Sequence, residues 1–256
     1  MPHPPQTTYR LIIFFGCLLG LSTVPWSVGA GTDSILKVGP FSTASPGGPF
    51  PEGWEPLTFE KIPQHTKYEL VQDSDTVVVR ATSKQSSSGL TRKMTINPKA
   101  FPIVQWRWKI DNIIQSGDVT KKEGDDYSAR IYITFEYDSS KVGFFERAKF
   151  EIINLAYGEY PPSAINYIWE SKTPIGTIVP NPYTDYVQMI VTQSGSQRVG
   201  EWVTEERNVY EDYKEAFGEE PPNISGIAIM TDTDNTKESA TAYFGDIVFK
   251  KGFAQE

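Results

Sequence analysis

The stretch YSARIYITF (residues 127–135) alternates strictly between two kinds of side chain. Its odd-numbered positions, from Tyr127 to Phe135, are all apolar, whereas its even-numbered positions carry serine, arginine, tyrosine and threonine. Successive side chains of a β-strand point to opposite faces of the sheet. The stretch therefore predicts a strand with one face on a hydrophobic core and Arg130 and Tyr132 on the other face.

Similar stretches recur along the chain and are separated by turn residues. They are KYELVQ (67–72), DTVVVRATS (75–83), GLTRKMTI (89–96), FPIVQWRWKID (101–111), AINYIWES (164–171), DYVQMIVTQSG (185–195), GEWVTEERNV (200–209), GIAIMTD (226–232) and ATAYFGDIVFK (240–250). About ten strands in one domain are typical of a sandwich. We therefore predict an all-β fold, a two-sheet jelly-roll-like β-sandwich.

Two segments have a helical period instead. Apolar residues of the segment 142–158 form one stripe, and Gly158 is suited to the end of a helix. The segment 210–218 reads as a second short helix that ends at Gly218. The sandwich is thus expected to carry one or two short helices.

The N-terminal residues are typical of a signal peptide. Arg10 precedes an apolar run at residues 11–21, and Val28 and Ala30 are the small residues of a cleavage site. A membrane-spanning helix needs about 20 apolar residues, which this run lacks. We expect residues 1–30 to be removed, leaving a periplasmic or secreted chain with no membrane span. Residues 31–256 would be a single β-sandwich domain with a Pro/Gly-rich N-terminal wrap.

Composition excludes several classes of function. The chain has 32 acidic and 24 basic residues, a formal net charge of −8, whereas nucleic-acid binders are usually basic. Cys17 lies in the predicted signal peptide, so the mature chain has no cysteine, and His65 is its single histidine. Zinc and copper sites prefer these two residue types, so we expect no transition metal.

Arginines occupy non-core positions of three predicted strands. They are Arg80, Arg107 and Arg130. Arginine holds carboxylates and sulfates in bidentate geometry, so three neighbouring strands would present a platform for an anionic or polyhydroxy ligand. The alternative is a set of ordinary solvated residues on an antiparallel sheet. Trp169 ends a short strand, where an edge aromatic ring could stack on a sugar.

Two polar clusters flank predicted strands. Asp125 and Asp126 precede one strand, while Asp232, Asp234 and Asn235 close another. If these strands are antiparallel neighbours, the clusters meet at one end of the sheet. Three interpretations stay open: a calcium site, direct contact with a ligand, or turn residues that bond their own backbone. The calcium ligands would be Asp126, Asp232 and Asp234.

Six motifs together resemble a bacterial exported family, the one catalogued as domain of unknown function 3047. The motifs are WRWKID (106–111), GDDYSARIYITF (124–135), INYIWESKTPIGT (165–177), GEWVTEERNVYEDYKEAFG (200–218), GIAIMTDTDNT (226–236) and AYFGDIVF (242–249). The resemblance covers roughly residues 57–249 and implies a periplasmic or secreted domain, with no activity attached. The closing strand is similar to jelly-roll domains of the carbohydrate-binding and complex I intermediate-associated type.

Three functions follow as hypotheses. The first is a non-catalytic binding module for a glycan or another polyhydroxy or anionic ligand. The second is a polysaccharide lyase-like enzyme, in which Arg107, Arg130 and Tyr132 would supply the cation and the proton-moving group. The third is a structural or assembly factor of the cell envelope. A Ser-His-Asp triad would have to use His65, and the sequence contains no Gly-x-Ser-x-Gly motif, so we do not expect such a triad.

Overall fold

The computed structural model describes Met1, residues 34–136 and residues 163–252. The predicted signal peptide and the helical stripe at 142–158 lie outside the described residues. Within them the chain forms fourteen strands, two short 3-10 helices and one α-helix. The predicted all-β, two-sheet jelly-roll-like sandwich is confirmed, with seven strands in each sheet. No described helix has the length and apolar character needed to cross a membrane.

The first sheet is built around β6. In spatial order its strands run β1-β14-β6-β13-β4-β3, and β11 pairs with the other edge of β6. Their bounds are β1 Ile35–Gly39, β3 Lys67–Asp73, β4 Thr76–Lys84, β6 Ile103–Ile110, β11 Val203–Asn208, β13 Ser239–Phe244 and β14 Ile247–Lys250.

The second sheet is ordered β2-β5-β12-β7-β8-β10-β9. Its strands are β2 Trp54–Leu57, β5 Ser87–Ile96, β7 Arg130–Phe135, β8 Ser163–Glu170, β9 Ile178–Asn181, β10 Thr184–Ser194 and β12 Ile224–Asp232. All neighbours are antiparallel except β8 and β10, which run parallel.

Aromatic side chains join the two sheets in the core. Trp106 and Trp108 both point inward from β6, as alternation predicts, with ring centroids 5.4 Å apart. Trp106 lies 5.1 Å from Tyr167, and Trp108 lies 5.9 Å from Trp169, both on β8 of the opposite sheet. These large buried rings account for much of the hydrophobic stabilisation, since each removes 150–250 Å² from water.

The predicted helix near residue 210 is present as α1, Val209–Phe217. Asn208 caps its start by accepting a hydrogen bond from the Glu211 backbone N–H at 3.2 Å. Gly218 ends it in the left-handed conformation, with φ of 74°. A tight turn joins β3 to β4, with Ser74 at φ of 54°.

The Pro/Gly-rich N-terminal segment contributes to both sheets. Its strand β1 pairs with β14 in the first sheet, and β2 pairs with β5 in the second. Phe41, which follows β1, and Trp54, the first residue of β2, are buried with ring centroids 5.0 Å apart. This segment therefore supplies an edge strand to each sheet.

Candidate functional site

The two acidic clusters meet at one end of the second sheet. Strand β12 pairs antiparallel with β7, with Met230 opposite Arg130, so the end of β12 lies beside the segment that leads into β7. We call Asp125, Asp126, Asp232, Asp234 and Asn235 the acidic rim. The two clusters could meet only if their strands were antiparallel neighbours, and the register of β7 and β12 shows that they are.

Three carboxylates of the rim converge. One oxygen from each of Asp126, Asp232 and Asp234 lies within 4.8 Å of the others. Asp126 and Asp232 are buried and Asp234 is half-buried. Hard cations such as calcium take oxygen ligands at 2.3–2.6 Å, and small adjustments of these side chains would supply three of them.

Arg130 is the cation beside this group. It is only 4% exposed, and one terminal nitrogen donates to Asp232 Oδ2. Its other terminal nitrogen lies 4.0 Å from Asp125 Oδ1. The guanidinium also lies 5.2 Å from the ring centres of Tyr127 and Tyr132. The expectation of an open arginine face is thus wrong here, because the segment before β7 folds over this part of the sheet.

Tyr127 departs from the predicted alternation because it belongs to the segment before β7 that folds over the sheet. Its strand begins only at Arg130, so Tyr127 packs with Ile168 and Met189 in a second hydrophobic cluster, away from the inter-sheet core. Its hydroxyl donates to Asp125 Oδ1 at 3.1 Å. Asn181 donates to both oxygens of Asp125, at 3.1 and 3.2 Å. Asp125 is therefore held from two sides.

Asp126 anchors the turn after β12. Its Oδ1 accepts from the Asn235 backbone N–H at 3.2 Å. Its Oδ2 accepts from the backbone N–H and the hydroxyl of Thr236, at 2.6 and 2.7 Å. These hydrogen bonds stabilise a turn, as one of the three interpretations expected, and they explain part of the cluster. The accepting carboxylate, Asp126, lies far from Asn235 and Thr236 in the sequence. Asp234 differs, because no other residue in the described ranges donates a hydrogen bond to its carboxylate.

Tyr183 forms the exposed side of the rim. The Asn235 amide donates to the Tyr183 hydroxyl at 2.7 Å, and it also donates to the Lys122 carbonyl. Tyr183 is 55% exposed, and Lys122 Nζ lies 5.1 Å from the centre of its ring. Tyr183 and Asn181 lie in the stretch NPYTD (181–185), whose composition is typical of a turn and does not by itself indicate a site.

The rim carries excess negative charge in a partly desolvated place. Burial raises the pKa of Asp232 well above its ordinary value, with further contributions from Asp126 and Asp125. Burial also raises the pKa of Asp125 and of Asp234. Against four carboxylates, Arg130 offers one buried positive charge. A bound cation or several hydroxyl donors would relieve this repulsion.

An open cleft begins next to the rim. Its volume is about 420 Å³, and Lys237 lies in its wall, with Nζ donating to the Asp234 carbonyl at 2.5 Å. Seven of its eight lining residues have polar or charged side chains: Lys84, Gln85, Asn112, Gln115, Lys237, Glu238 and Ser239, with Ile113 as the eighth.

The remaining predicted site residues lie elsewhere. Arg80 and Arg107 project from the first sheet and Arg130 from the second, so the three do not form one platform. Trp169 is 2% exposed and packs in the core, with its indole N–H donating to the Gly195 carbonyl at 3.1 Å. The sugar-stacking role expected for Trp169 is therefore wrong, because alternation along β8 turns its ring inward. Tyr132 is half-buried beside Arg130.

Comparison with known proteins places the chain in a family. The model of the family described as protein of unknown function (DUF3047) matches residues 52–248, most of the chain, which therefore belongs to that family. No curated protein matches the chain significantly.

Two solved structures are distantly similar. One is a mutant of the carbohydrate-binding module CBM29-2 complexed with cellulohexaose, with 9% identity, a TM-score of 0.35, and coverage of 86% of this chain and 93% of that one. The other is the glycoside hydrolase domain of Endo-D from Streptococcus pneumoniae R6, with 9% identity and a TM-score of 0.30. That match covers 79% of this chain and 22% of the other. Likenesses this distant carry no argument about what this chain binds.

Proposed function

We propose that this member of DUF3047 is a non-catalytic binding module for a polyhydroxy ligand of the glycan class, with the acidic rim as its site. The observation that carries the proposal is the exposed ring of Tyr183, joined through Asn235 to the rim carboxylates. An aromatic ring offers a stacking face, and carboxylates accept hydrogen bonds from hydroxyl groups. The polar cleft beside Lys237 extends this surface.

The rim is further proposed to hold calcium at Asp126, Asp232 and Asp234. Calcium takes six to eight oxygen ligands, so three carboxylates leave positions for hydroxyls of a bound sugar. The excess negative charge of the rim supports this assignment. Asp234 supports it further, because its carboxylate accepts no hydrogen bond from another described residue.

Binding is favoured over the lyase alternative by the place of Arg130. A lyase needs a cation that reaches the substrate, whereas Arg130 is buried and paired with Asp232. Arg107, the other cation in that hypothesis, projects from the first sheet. Arg107 and Arg130, which the lyase hypothesis requires to act together, therefore project from different sheets.

The test is a glycan array followed by calorimetric titration of the best-bound oligosaccharide in calcium. Asp234→Asn and Tyr183→Ala should each weaken binding at least about tenfold, or 1.4 kcal/mol. Asp185→Asn is the matched control, since Asp185 is exposed on β10 and its substitution removes the same charge. Equal binding by wild type and both rim variants, or no bound glycan at all, would contradict the proposal.

A further inference from the structure

The outer face of the first sheet carries rings and cations side by side. Strand register places Arg80 opposite Tyr243, and Tyr243 opposite Lys109. Trp202, immediately before β11, lies on the other side of β6, with its ring centre 6.5 Å from that of Tyr243. We call Arg107, Lys109, Trp202 and Tyr243 the β6 patch. All four are half-buried.

The rings of the β6 patch are held in place by hydrogen bonds. Asp73, at the end of β3, accepts from the Trp202 indole N–H at 2.9 Å and from Lys109 Nζ at 2.6 Å. The bond from Lys109 lowers the pKa of Asp73. The Tyr243 hydroxyl donates to Asp111 at 3.2 Å. A ligand would therefore meet rings that are already oriented, which reduces the entropy lost on binding.

Within the described part of the chain Arg107 is held in place without an ion pair, although its charge contributes to lowering the pKa of Asp73. Its guanidinium lies 4.6 Å from the ring centre of Trp202. Its stem runs over Gly245, where any Cβ atom would overlap the Arg107 side chain. In the described ranges Arg107 has no carboxylate within 4.0 Å and its guanidinium donates no hydrogen bond. Its neighbours differ, since Lys109 is paired with Asp73 and Arg80 with Glu69.

We propose that the β6 patch is a second ligand site, which binds an anionic saccharide through Arg107. A carboxylate or sulfate group on the sugar would accept the paired N–H groups of Arg107. The sugar ring would contact Trp202 and Tyr243. This site lies on the other sheet from the acidic rim and needs no calcium, so it stands independently of the function proposed above.

Calorimetric titration in EDTA isolates this site from a calcium-dependent rim. The probes are a uronate hexasaccharide, a sulfated hexasaccharide and the neutral hexasaccharide with the same linkage. Wild type should bind one or both acidic probes at least about tenfold more tightly than the neutral probe, a factor equal to 1.4 kcal/mol. Arg107→Gln should remove that preference, and Arg107→Lys should restore only part of it because it cannot bind in bidentate fashion.

Lys250→Gln is the matched control, because it removes one positive charge from the same sheet, where Lys250 is paired with Glu206. It should leave affinity for the acidic probes within about twofold of wild type, a difference of roughly 0.4 kcal/mol. The proposal is overturned if wild type binds the acidic and neutral probes equally, or binds none of them. It is also overturned if Lys250→Gln loses as much affinity as Arg107→Gln. Preference for the uronate or for the sulfated probe identifies the acidic group.

Discussion

Arg130 shows that the alternation of side chains along a strand does not by itself predict which of them are exposed. Alternation correctly assigns it to the face opposite Ile131 and Ile133. It does not reveal that Asp125 and Tyr127, from the segment before β7, cover that face. A period of two separates the faces of a strand, whereas the burial of the second face depends on segments distant in sequence.

The Arg130–Asp232 pair should be a major contributor to stability. Removing one member of a buried ion pair leaves the other charge uncompensated, which typically costs about 3–5 kcal/mol. We expect Arg130→Met to lower the free energy of unfolding by roughly this amount in urea titrations. The double variant Arg130→Met with Asp232→Asn should recover part of the loss. A change below about 1 kcal/mol for Arg130→Met would instead be typical of an exposed ion pair.

Strand positions were predicted well where strands are long and alternating, whereas the order of the strands in the sheets was not predicted. Strands β3 to β8 and β10 to β12 correspond to quoted stretches, although β7 is shorter and the last stretch is divided into β13 and β14 near Gly245. Strands β1, β2 and β9 were not predicted, since they have only four or five residues and two contain proline. Because β9 was not predicted, Asn181 at its end and Tyr183 just after it were not recognised as candidate site residues.

Trp169 belongs to the packing between the sheets rather than to a binding surface. Replacing a buried tryptophan by alanine removes its burial and leaves a cavity, a loss of about 3–5 kcal/mol. Trp169→Ala should therefore lower the free energy of unfolding by roughly that amount. The fraction of the variant that is folded should bind glycan with the affinity of wild type. Normal stability with lost glycan binding would restore the surface role that the sequence suggested.

At the scale of the whole molecule, the sandwich separates the residues that the sequence grouped together. The clusters at Asp125 and Asp232 meet, as expected on the condition that their strands are antiparallel neighbours, and the register of β7 and β12 fulfils that condition. The sequence could not show that Arg80 and Arg107 lie on a different sheet from Arg130, because alternation gives no information about which sheet a strand joins. The result is two candidate surfaces, the acidic rim on the second sheet and the β6 patch on the first.

Export is proposed on the sequence alone. The apolar run at 11–21 and the small residues Val28 and Ala30 predict cleavage that leaves Gly31 as the first residue. N-terminal sequencing of protein recovered outside the cytoplasm should begin at Gly31. Recovered protein that retains the run at 11–21 would contradict this prediction.

The acidic rim also predicts a dependence of stability on pH. Without a cation, the raised pKa of Asp234 means that the folded state holds this proton more tightly than the unfolded state. The stabilisation that protonated Asp234 contributes is fully present below the ordinary pKa of aspartate. It is lost as the pH rises through the raised pKa of Asp234 in the folded protein. In EDTA, Asp234→Asn should therefore melt at a higher temperature than wild type near neutral pH, and the difference should shrink as the pH is lowered.

The most direct measurement is the melting temperature of the EDTA-treated protein before and after calcium is added. At a calcium concentration of 100 times Kd, mass action adds about 2.7 kcal/mol, which raises Tm by roughly 5–10 °C for a chain of this size. Wild type and Asp185→Asn should show this rise, and Asp234→Asn should show none. An unchanged Tm in wild type, or an equal rise in Asp234→Asn, would contradict the assignment of Asp126, Asp232 and Asp234 as a calcium site.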